Sequence, residues 1–184
     1  MPRRRISSEH KSTASIREDR RVRSRIEVHV AGICVRPKND HWEVLIAKRT
    51  DERHLYPGKW ECGGGQVQYG EGFEHAIRRQ IFEEFGLDVE PCELLETYEI
   101  HVPGQRVIPG LRFLCLAGCG RIRLNKREFT RYQWVQFPVP NLDWIEGVKK
   151  ILDTIGPQLL TRLVERKSPD SERGPISIPS RAVN

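Results

Sequence analysis

The sequence lacks long apolar runs and lacks a regularly spaced set of cysteines. No stretch approaches the roughly 20 apolar residues that a membrane-spanning helix requires, so we expect no membrane partner. The cysteines number five, an odd count that argues against a disulfide scaffold. Free thiols are typical of a reducing compartment, which favours a cytoplasmic protein. Cys115 and Cys119 lie in or beside an apolar run, and we expect both in the core rather than in a metal site.

The sequence also lacks internal repeats, and its main part lacks a charge excess of either sign. Residues 1–25 carry nine basic and three acidic residues, which accounts for the whole net charge of +6, and the remainder balances at 22 and 22. This basic arm has no apolar periodicity and is predicted to be disordered. We favour a solvated tail, and contact with nucleic acid or another acidic partner stays an alternative.

The length of 184 residues predicts one domain, which we place at residues 26–166, before a Ser- and Pro-rich tail at 167–184. Strands are predicted from the β-branched runs at 26–35, 41–49, 92–102, 107–118 and 132–137. Residues 50–65 are predicted to form a loop. The apolar spacing at 73, 76, 77 and 81 predicts a helix from Phe73 to Phe85, ended by Gly86.

A second helix is predicted near the end of the domain. Asn141 is a plausible N-cap, and Trp144, Val148 and Ile151 share one helical face. Pro157 is expected to kink this helix or to divide it. The resulting order of elements, two strands, a loop, a helix, three strands and a helix, predicts an α/β domain with a mixed β-sheet flanked by helices.

Two carboxylates and one amide occupy one patch of the first helix. Gln80, Glu83 and Glu84 are related by steps of three and four residues, so their side chains are expected to converge. Arg79 stands four residues before Glu83 and offsets part of the charge. A hard divalent cation such as Mg²⁺ is the other candidate for balancing it, with backbone carbonyls of the preceding glycine run as further ligands. A solvated acidic helix face is the alternative.

The residues around this patch resemble the motif of the Nudix hydrolase family, G-x5-E-x7-R-E-U-x-E-E-x-G-U, where U is a bulky aliphatic residue. Eight of the nine defined positions match over 23 residues, at Gly65, Glu71, Arg79, Ile81, Glu83, Glu84, Gly86 and Leu87, with Gln80 at the ninth. The stretches YPGKWECGGG and REFTRYQWV resemble the family's approach loop and a later strand. The resemblance covers about residues 26–165 and implies a Nudix-type α/β/α sandwich.

The resemblance also implies a role for each matching residue. It implies Mg²⁺ as the cofactor, with Mn²⁺ as a substitute, bound by Gly65, Gln80, Glu83, Glu84 and Glu128. It implies a catalytic group made of Arg79, Gln80, Glu84 and Glu128. Arg49 matches a position that can contact the phosphates of the substrate, and Glu71 matches a supporting acidic residue. In the family, these parts cleave a pyrophosphate bond in a nucleoside diphosphate linked to another group.

Gln80 replaces the glutamate that the family uses as a metal ligand or as a base. A glutamine can offer one oxygen to a cation, but it cannot accept a proton as a carboxylate does. Three explanations stay open: an engineered isosteric change, a degenerate domain that binds nucleotides without turnover, or an enzyme whose base is Glu128.

Two functions of different class follow from this sequence. The first is a pyrophosphohydrolase acting on an ADP-ribose-like compound or a nucleoside triphosphate, with the downstream Pro103 as a weak indication of the former. The second is a catalytically degenerate nucleotide-binding or sensor module whose basic arm contacts nucleic acid or a partner. A homodimer is compatible with both.

Overall fold

A computed structural model describes residues 26–104 and 107–167, without the side chains of 160–167. The described residues form seven strands and two helices, namely β1 (His29–Lys38), β2 (His41–Arg49), β3 (Trp60–Glu61), β4 (Gly64–Gln66), α1 (Phe73–Phe85), β5 (Val89–His101), β6 (Val107–Ala117), β7 (Phe129–Gln136) and α2 (Val148–Lys167). Neither helix combines the length and apolar composition needed to cross a bilayer. The predicted arm at 1–25 and nearly all of the predicted tail lie outside the described residues, so those predictions stay untested.

The strands form one mixed sheet. The main path runs β3-β2-β1-β6-β5, while β4 pairs with β1 and β7 pairs with β2. The β1–β6 pair is parallel, and the other pairs are antiparallel. The parallel pair places β6, which comes after α1 in the chain, beside the first strand β1.

The two helices cover opposite faces of this sheet. Consecutive residues of a strand point to opposite faces. Ile33 of β1 packs in one core cluster with Leu152 of α2, and its neighbour Cys34 packs in a second cluster with Ile77 of α1. The predicted α/β/α sandwich with a mixed sheet is therefore confirmed.

The first part of the chain differs from the prediction in two places. The hairpin between β1 and β2 is tighter than expected, since only Asn39 and Asp40 separate the strands and Asn39 adopts a φ of 52°. The predicted loop at 50–65 contains β3 and the start of β4, which pair with β2 and β1. These short strands depend on partners distant in sequence, which local patterns do not reveal.

The second helix begins later than predicted. The residues just before Val148 pair with β3 instead of forming a helix. The Trp60 N–H donates to the Asp143 carbonyl, and the Ile145 N–H donates to the Trp60 carbonyl. Asn141 is therefore not an N-cap. The division expected at Pro157 is also wrong, since α2 continues through it to Lys167 with buried residues on both sides of the proline.

The cysteine prediction is confirmed in part. All five are free, and Cys34, Cys62 and Cys115 are buried. Cys119 is exposed, so its assignment to the core is wrong. It follows the end of β6 at Ala117, where the chain leaves the sheet.

The first helix has the predicted bounds, and its end depends on one glycine. Gly86 adopts φ 63° and ψ 26°, and its N–H donates to the Phe82 carbonyl. This left-handed conformation favours glycine, because a Cβ would approach the backbone too closely. In this case a Cβ would also lie 2.9 Å from the Cβ of Arg123.

Gly86→Ala is expected to lower the free energy of unfolding by about 1–2 kcal/mol, because alanine is strained in the left-handed conformation. Urea denaturation measures the change. Gly120→Ala is the matched control, since a Cβ there meets only a Leu87 methyl group at 4.0 Å. The control is expected to change stability by less than about 0.5 kcal/mol. Equal effects of the two substitutions would contradict this account of the helix end.

Candidate active site

The glycine run Gly63–Gly65 lies directly against α1 and leaves no room for side chains. Gly64 adopts a φ of 148°, and a Cβ there would lie 2.3 Å from the Val30 carbonyl oxygen. A Cβ on Gly65 would lie 2.3 Å from the side-chain amide carbon of Gln80. The loop backbone therefore contacts side chains of the helix directly, which only glycine permits here.

Glu84 is the buried carboxylate at this contact. It is 2% exposed, and its Oε2 accepts a hydrogen bond of 3.0 Å from the Gly64 N–H. Burial raises the pKa of Glu84 well above its ordinary value, and the negative charges of Glu61 and Glu128 raise it further. The Gly64 N–H and the charge of Arg49 act in the opposite direction. An added cation would relieve this accumulation of negative charge.

Arg79 fixes the loop to the helix through a two-point ion pair with Glu71. Its Nε and Nη2 each donate to a Glu71 carboxylate oxygen at 2.8 Å. The Nη2 group also donates to the Gln66 carbonyl at 3.0 Å. Glu71 is 6% exposed at its side chain and accepts a further bond from the Gln68 N–H. The Arg79 guanidinium is the main reason that the pKa of Glu71 falls to about 2. Glu71 thus lies where it holds the loop in place.

The predicted convergence of the three helix side chains is met only in part. The Gln80 Nε2 donates to the Gln66 carbonyl at 3.2 Å, and Glu84 turns to the glycine run. Glu83 is 52% exposed at its side chain and accepts a bond of 3.2 Å from Arg79. Gln80 and Glu83 line a cavity, while Glu84 is buried behind the glycine run that lines the same cavity.

The fold brings both distant candidates, Arg49 and Glu128, to the wall of that cavity. Arg49 is already engaged, because its Nη1 donates to the Glu61 carboxylate and its Nε donates to the Leu55 carbonyl. One oxygen of Glu128 lies 3.5 Å from Arg53, and its side chain is partly exposed. Contact of Arg49 with substrate phosphates therefore stays a prediction that requires it to share its donors with Glu61.

No three carboxylate, histidine or cysteine side chains among residues 26–104 and 107–167 lie close enough together to hold a metal ion by themselves. Gln80 supplies an amide in place of a carboxylate, and Glu83 is turned towards Arg79. Magnesium is usually bound by one or two carboxylates together with waters and substrate phosphates. The oxygen donors on this side of the cavity fit such a partial site.

The cavity has a volume of about 730 Å³ and extends beyond the predicted residues. The polar residues that sequence reasoning missed include His29, Glu61, Tyr98 and Arg112. Arg112 had a usable signal, since it interrupts an apolar run at a position two residues before the buried Leu114. Glu61 stands two residues before the glycine run. His29 and Tyr98 had no signal in the sequence that separates them from ordinary strand residues.

Comparisons with known proteins agree with this architecture. Residues 27–153 match the family model of the NUDIX domain. The chain is 31% identical over 114 residues to the nucleoside triphosphatase NudI of Escherichia coli, across 56% of this chain and 79% of that protein. Its fold is similar to that of a NUDIX hydrolase from Nitrosomonas europaea, with TM-score 0.58, 20% identity, and coverage of 72% of this chain and 71% of that one. A MutT protein from Methanosarcina mazei Go1 gives TM-score 0.56, 18% identity, and coverage of 77% and 95%.

A mixed sheet between two helices, with a glycine run closed onto the first helix, is the Nudix-type fold that the sequence motif indicated. Since the family model covers residues 27–153, the chain belongs to the Nudix hydrolase family. The predictions of family, fold and enzyme class are confirmed.

Glu71→Gln is expected to lower the free energy of unfolding at pH 7 by about 2 kcal/mol, because it removes the charge from the two-point ion pair with Arg79 and leaves that guanidinium with Glu83 and the Gln66 carbonyl. The carboxylate has a pKa of about 2 when folded and an ordinary value of 4.5. Its contribution is therefore complete above pH 4.5 and is lost as the pH falls towards 2. Denaturant unfolding between pH 7 and pH 2.5 should show the difference between parent and variant shrinking with acid.

Glu74→Gln is the matched control, since Glu74 is an exposed carboxylate in the first turn of α1. It is expected to change stability by less than about 0.5 kcal/mol at every pH. A Glu71→Gln difference that does not depend on pH would contradict the ion-pair account.

Proposed function

We propose that the chain hydrolyses a pyrophosphate bond in a nucleoside diphosphate linked to another group, in a reaction that depends on Mg²⁺. The observation that carries this proposal is the position of Glu84. It is buried behind the glycine run that lines a cavity of about 730 Å³, where its Oε2 accepts a hydrogen bond from the Gly64 N–H and where the charges of Glu61 and Glu128 act on it. Cavities of about 300–1,000 Å³ suit small ligands such as nucleotides.

The residues that would hold Mg²⁺, or Mn²⁺ in its place, are Gly65, Gln80, Glu83, Glu84 and Glu128. When bound, the ion supplies positive charge to the phosphate oxygens and activates water for in-line attack. The fit is supported by the donor set, which is made of oxygen atoms, and by the raised pKa of the buried Glu84. Arg79 would orient this set, since Glu71 holds its guanidinium beside Glu83.

Gln80 limits what the chain can do as it stands. Its Nε2 donates to the Gln66 carbonyl, which leaves its Oε1 as the acceptor for a water or a cation. It cannot take the proton of an attacking water. Glu128 is a partly exposed carboxylate on the cavity wall, and it is the candidate base if this form is active.

The substrate that we favour is a nucleoside triphosphate. This choice is supported by the relative with 31% identity, which is a nucleoside triphosphatase. An ADP-ribose-like compound is the second choice and rests only on the position of Pro103. The predicted cytoplasmic location, homodimer and nucleic-acid contact through residues 1–25 stay predictions.

A nucleotide-binding or sensor module is the alternative function. Two observations favour it: Gln80 lacks the proton-accepting group, and no complete set of metal-binding side chains occurs within residues 26–104 and 107–167. This alternative requires tight nucleotide binding without turnover, with glutamine or with glutamate at position 80.

Gln80→Glu is expected to raise kcat by about 10²–10⁴-fold, because it restores a carboxylate that can act as a general base. Phosphate release is measured with nucleoside triphosphates, oxidised triphosphates, dinucleotide polyphosphates and ADP-ribose, with Mg²⁺ or Mn²⁺. Gln68→Glu is the matched control, since it adds the same charge at an exposed position on the cavity wall. The control is expected to leave the rate unchanged.

The pattern of turnover separates the three explanations for Gln80. Turnover by the glutamate form alone identifies Gln80 as a disabling change. Similar turnover by both forms places the base elsewhere, and Glu128→Gln should then abolish it. Nucleotide binding without turnover by either form contradicts the hydrolase proposal and supports the sensor.

Glu84→Gln tests the metal site without measuring activity. In the absence of divalent ions, the variant is expected to be more stable than the parent, because it removes a buried charge near Glu61 and Glu128 while the Gly64 N–H keeps an acceptor. With Mn²⁺ or Mg²⁺ and a nucleotide, the parent should gain thermal stability and the variant should not. Equal stabilisation of both proteins by the ion would show that Glu84 is not a ligand.

A further inference from the structure

Arg112 is a buried cation whose donors are almost unused. The residue is 6% exposed, and its Nε has no hydrogen-bond partner. The Nε lies 3.1 Å from a carboxylate oxygen of Glu96, but without the alignment of a hydrogen bond. Within the described part of the chain, Arg112 donates no hydrogen bond, although its guanidinium carries five N–H groups. Such a buried group is costly unless something else accepts its bonds.

The other arginines on the cavity wall are differently placed. Arg49 and Arg79 each donate to a carboxylate, and Arg53 lies 3.5 Å from Glu128. All three belong to the acidic end of the cavity, near the glycine run. Arg112 lines the same cavity from another strand and is the arginine whose donors are left for a ligand.

The sheet register fixes how far Arg112 lies from the glycine run. Ala31 of β1 pairs with Gly64 on one side and with Arg112 of β6 on the other. Two strand spacings therefore separate the Gly64 and Arg112 backbones, a distance of about 10 Å. This backbone separation is comparable with the length of a nucleoside, and the cavity reaches both faces of the sheet, since Gln80 of α1 and Val148 of α2 both line it. Leu114, two residues after Arg112, packs with α2, so both side chains point to that face.

The neighbours of Arg112 suit a flat, neutral ring better than a phosphate. The guanidinium lies 4.6 Å from the centre of the Tyr98 ring. The Tyr98 hydroxyl and the His29 Nδ1 share a hydrogen bond of 2.5 Å. Burial, followed by the charge of Arg112, lowers the pKa of His29 to about 4, so it is neutral at pH 7. Ile108 adds an apolar side chain to this part of the wall.

We propose that Arg112 determines specificity by donating hydrogen bonds to the carbonyl oxygen of a nucleobase, which selects guanine, cytosine or uracil against adenine. This inference rests on the proposed function, since it assumes that the phosphates lie at the acidic end. An arginine only donates, and it pairs well with the carbonyl oxygen and adjacent ring nitrogen of guanine. Adenine has no carbonyl and presents an amino donor instead, which leaves part of the guanidinium unpaired.

Binding and turnover of GTP, CTP and UTP are compared with those of ATP, with Mg²⁺ and equal numbers of phosphates. Calorimetry gives Kd for the chain as it stands, and kinetics give KM for the Gln80→Glu form. The carbonyl-bearing nucleotides are expected to bind about 10–100-fold more tightly than ATP. Arg112→Gln should remove this preference through Kd and KM rather than kcat, because an amide that both donates and accepts suits adenine.

Arg36→Gln is the matched control. Arg36 also lies on a strand, pairs with a carboxylate, Glu43, and covers an aromatic ring, that of Trp134, but it does not line the cavity. It is expected to leave the order of the four nucleotides unchanged. If Arg112→Gln does not fold, Arg112→Lys keeps the charge beside Glu96 but loses the planar fork, and the same loss of preference is expected.

Three results would overturn the inference. The first is an unchanged order of the four nucleotide affinities in the folded variant, and the second is an equal loss of affinity for all four. The third is a loss of affinity that depends on the number of phosphates when diphosphates are compared with triphosphates. The last would assign Arg112 to phosphate binding. Failure of the proposed function looks different, since the Gln80→Glu form would then turn over no nucleotide while the order of Kd values still depended on Arg112.

Discussion

The close approach of α1 to the glycine run is the constraint on which the site depends. A Cβ on Gly63 would lie 2.6 Å from the Glu84 carboxylate, and one on Gly64 would meet the backbone of β1. Since the gap admits no side chain, Glu84 is held against a backbone N–H and is removed from water. The Glu71–Arg79 pair closes the same contact from the other side of the loop. The geometry of this contact therefore depends on the absence of side chains from the glycine run as well as on Glu84, Glu71 and Arg79.

Charge is distributed unevenly along the cavity, so its two ends differ in the ligand groups that they favour. The charges of Glu61 and Glu128 act on Glu84 near the glycine run, and Arg49 and Arg53 pair with Glu61 and Glu128 there. Arg112 lies two strands away with its donors unused. A ligand with phosphates at one end and a neutral, acceptor-bearing ring at the other would match both ends, provided that a cation joins it at the base. The fold thus supports one orientation of a nucleotide better than its reverse.

The sequence predicted the parts of the site whose structure depends on nearby residues. It missed the parts whose position depends on pairing between strands that are distant in sequence. The bounds of α1 follow from apolar spacing and from Gly86, and the motif joins the helix to the glycine run. Asn141 was wrongly predicted to start a helix because Asp143 and Ile145, which follow it, form backbone hydrogen bonds with the distant Trp60 instead. His29 and Tyr98 were missed for the same reason, since their position on the cavity wall depends on which strands lie side by side. A strand register cannot be read from one strand.

Gln80 is best understood through the charge of its surroundings. A glutamate at this position would add another negative charge near Glu84, which is already disfavoured as an ion by burial and by Glu61 and Glu128. Glutamine keeps the shape, donates to the Gln66 carbonyl, and spares the protein that repulsion when no cation is bound. The same change removes the group that can accept a proton. On the proposed function, the glutamine that avoids this repulsion would therefore also remove a proton acceptor from the site, which is the balance expected where catalytic groups are held in unfavourable surroundings.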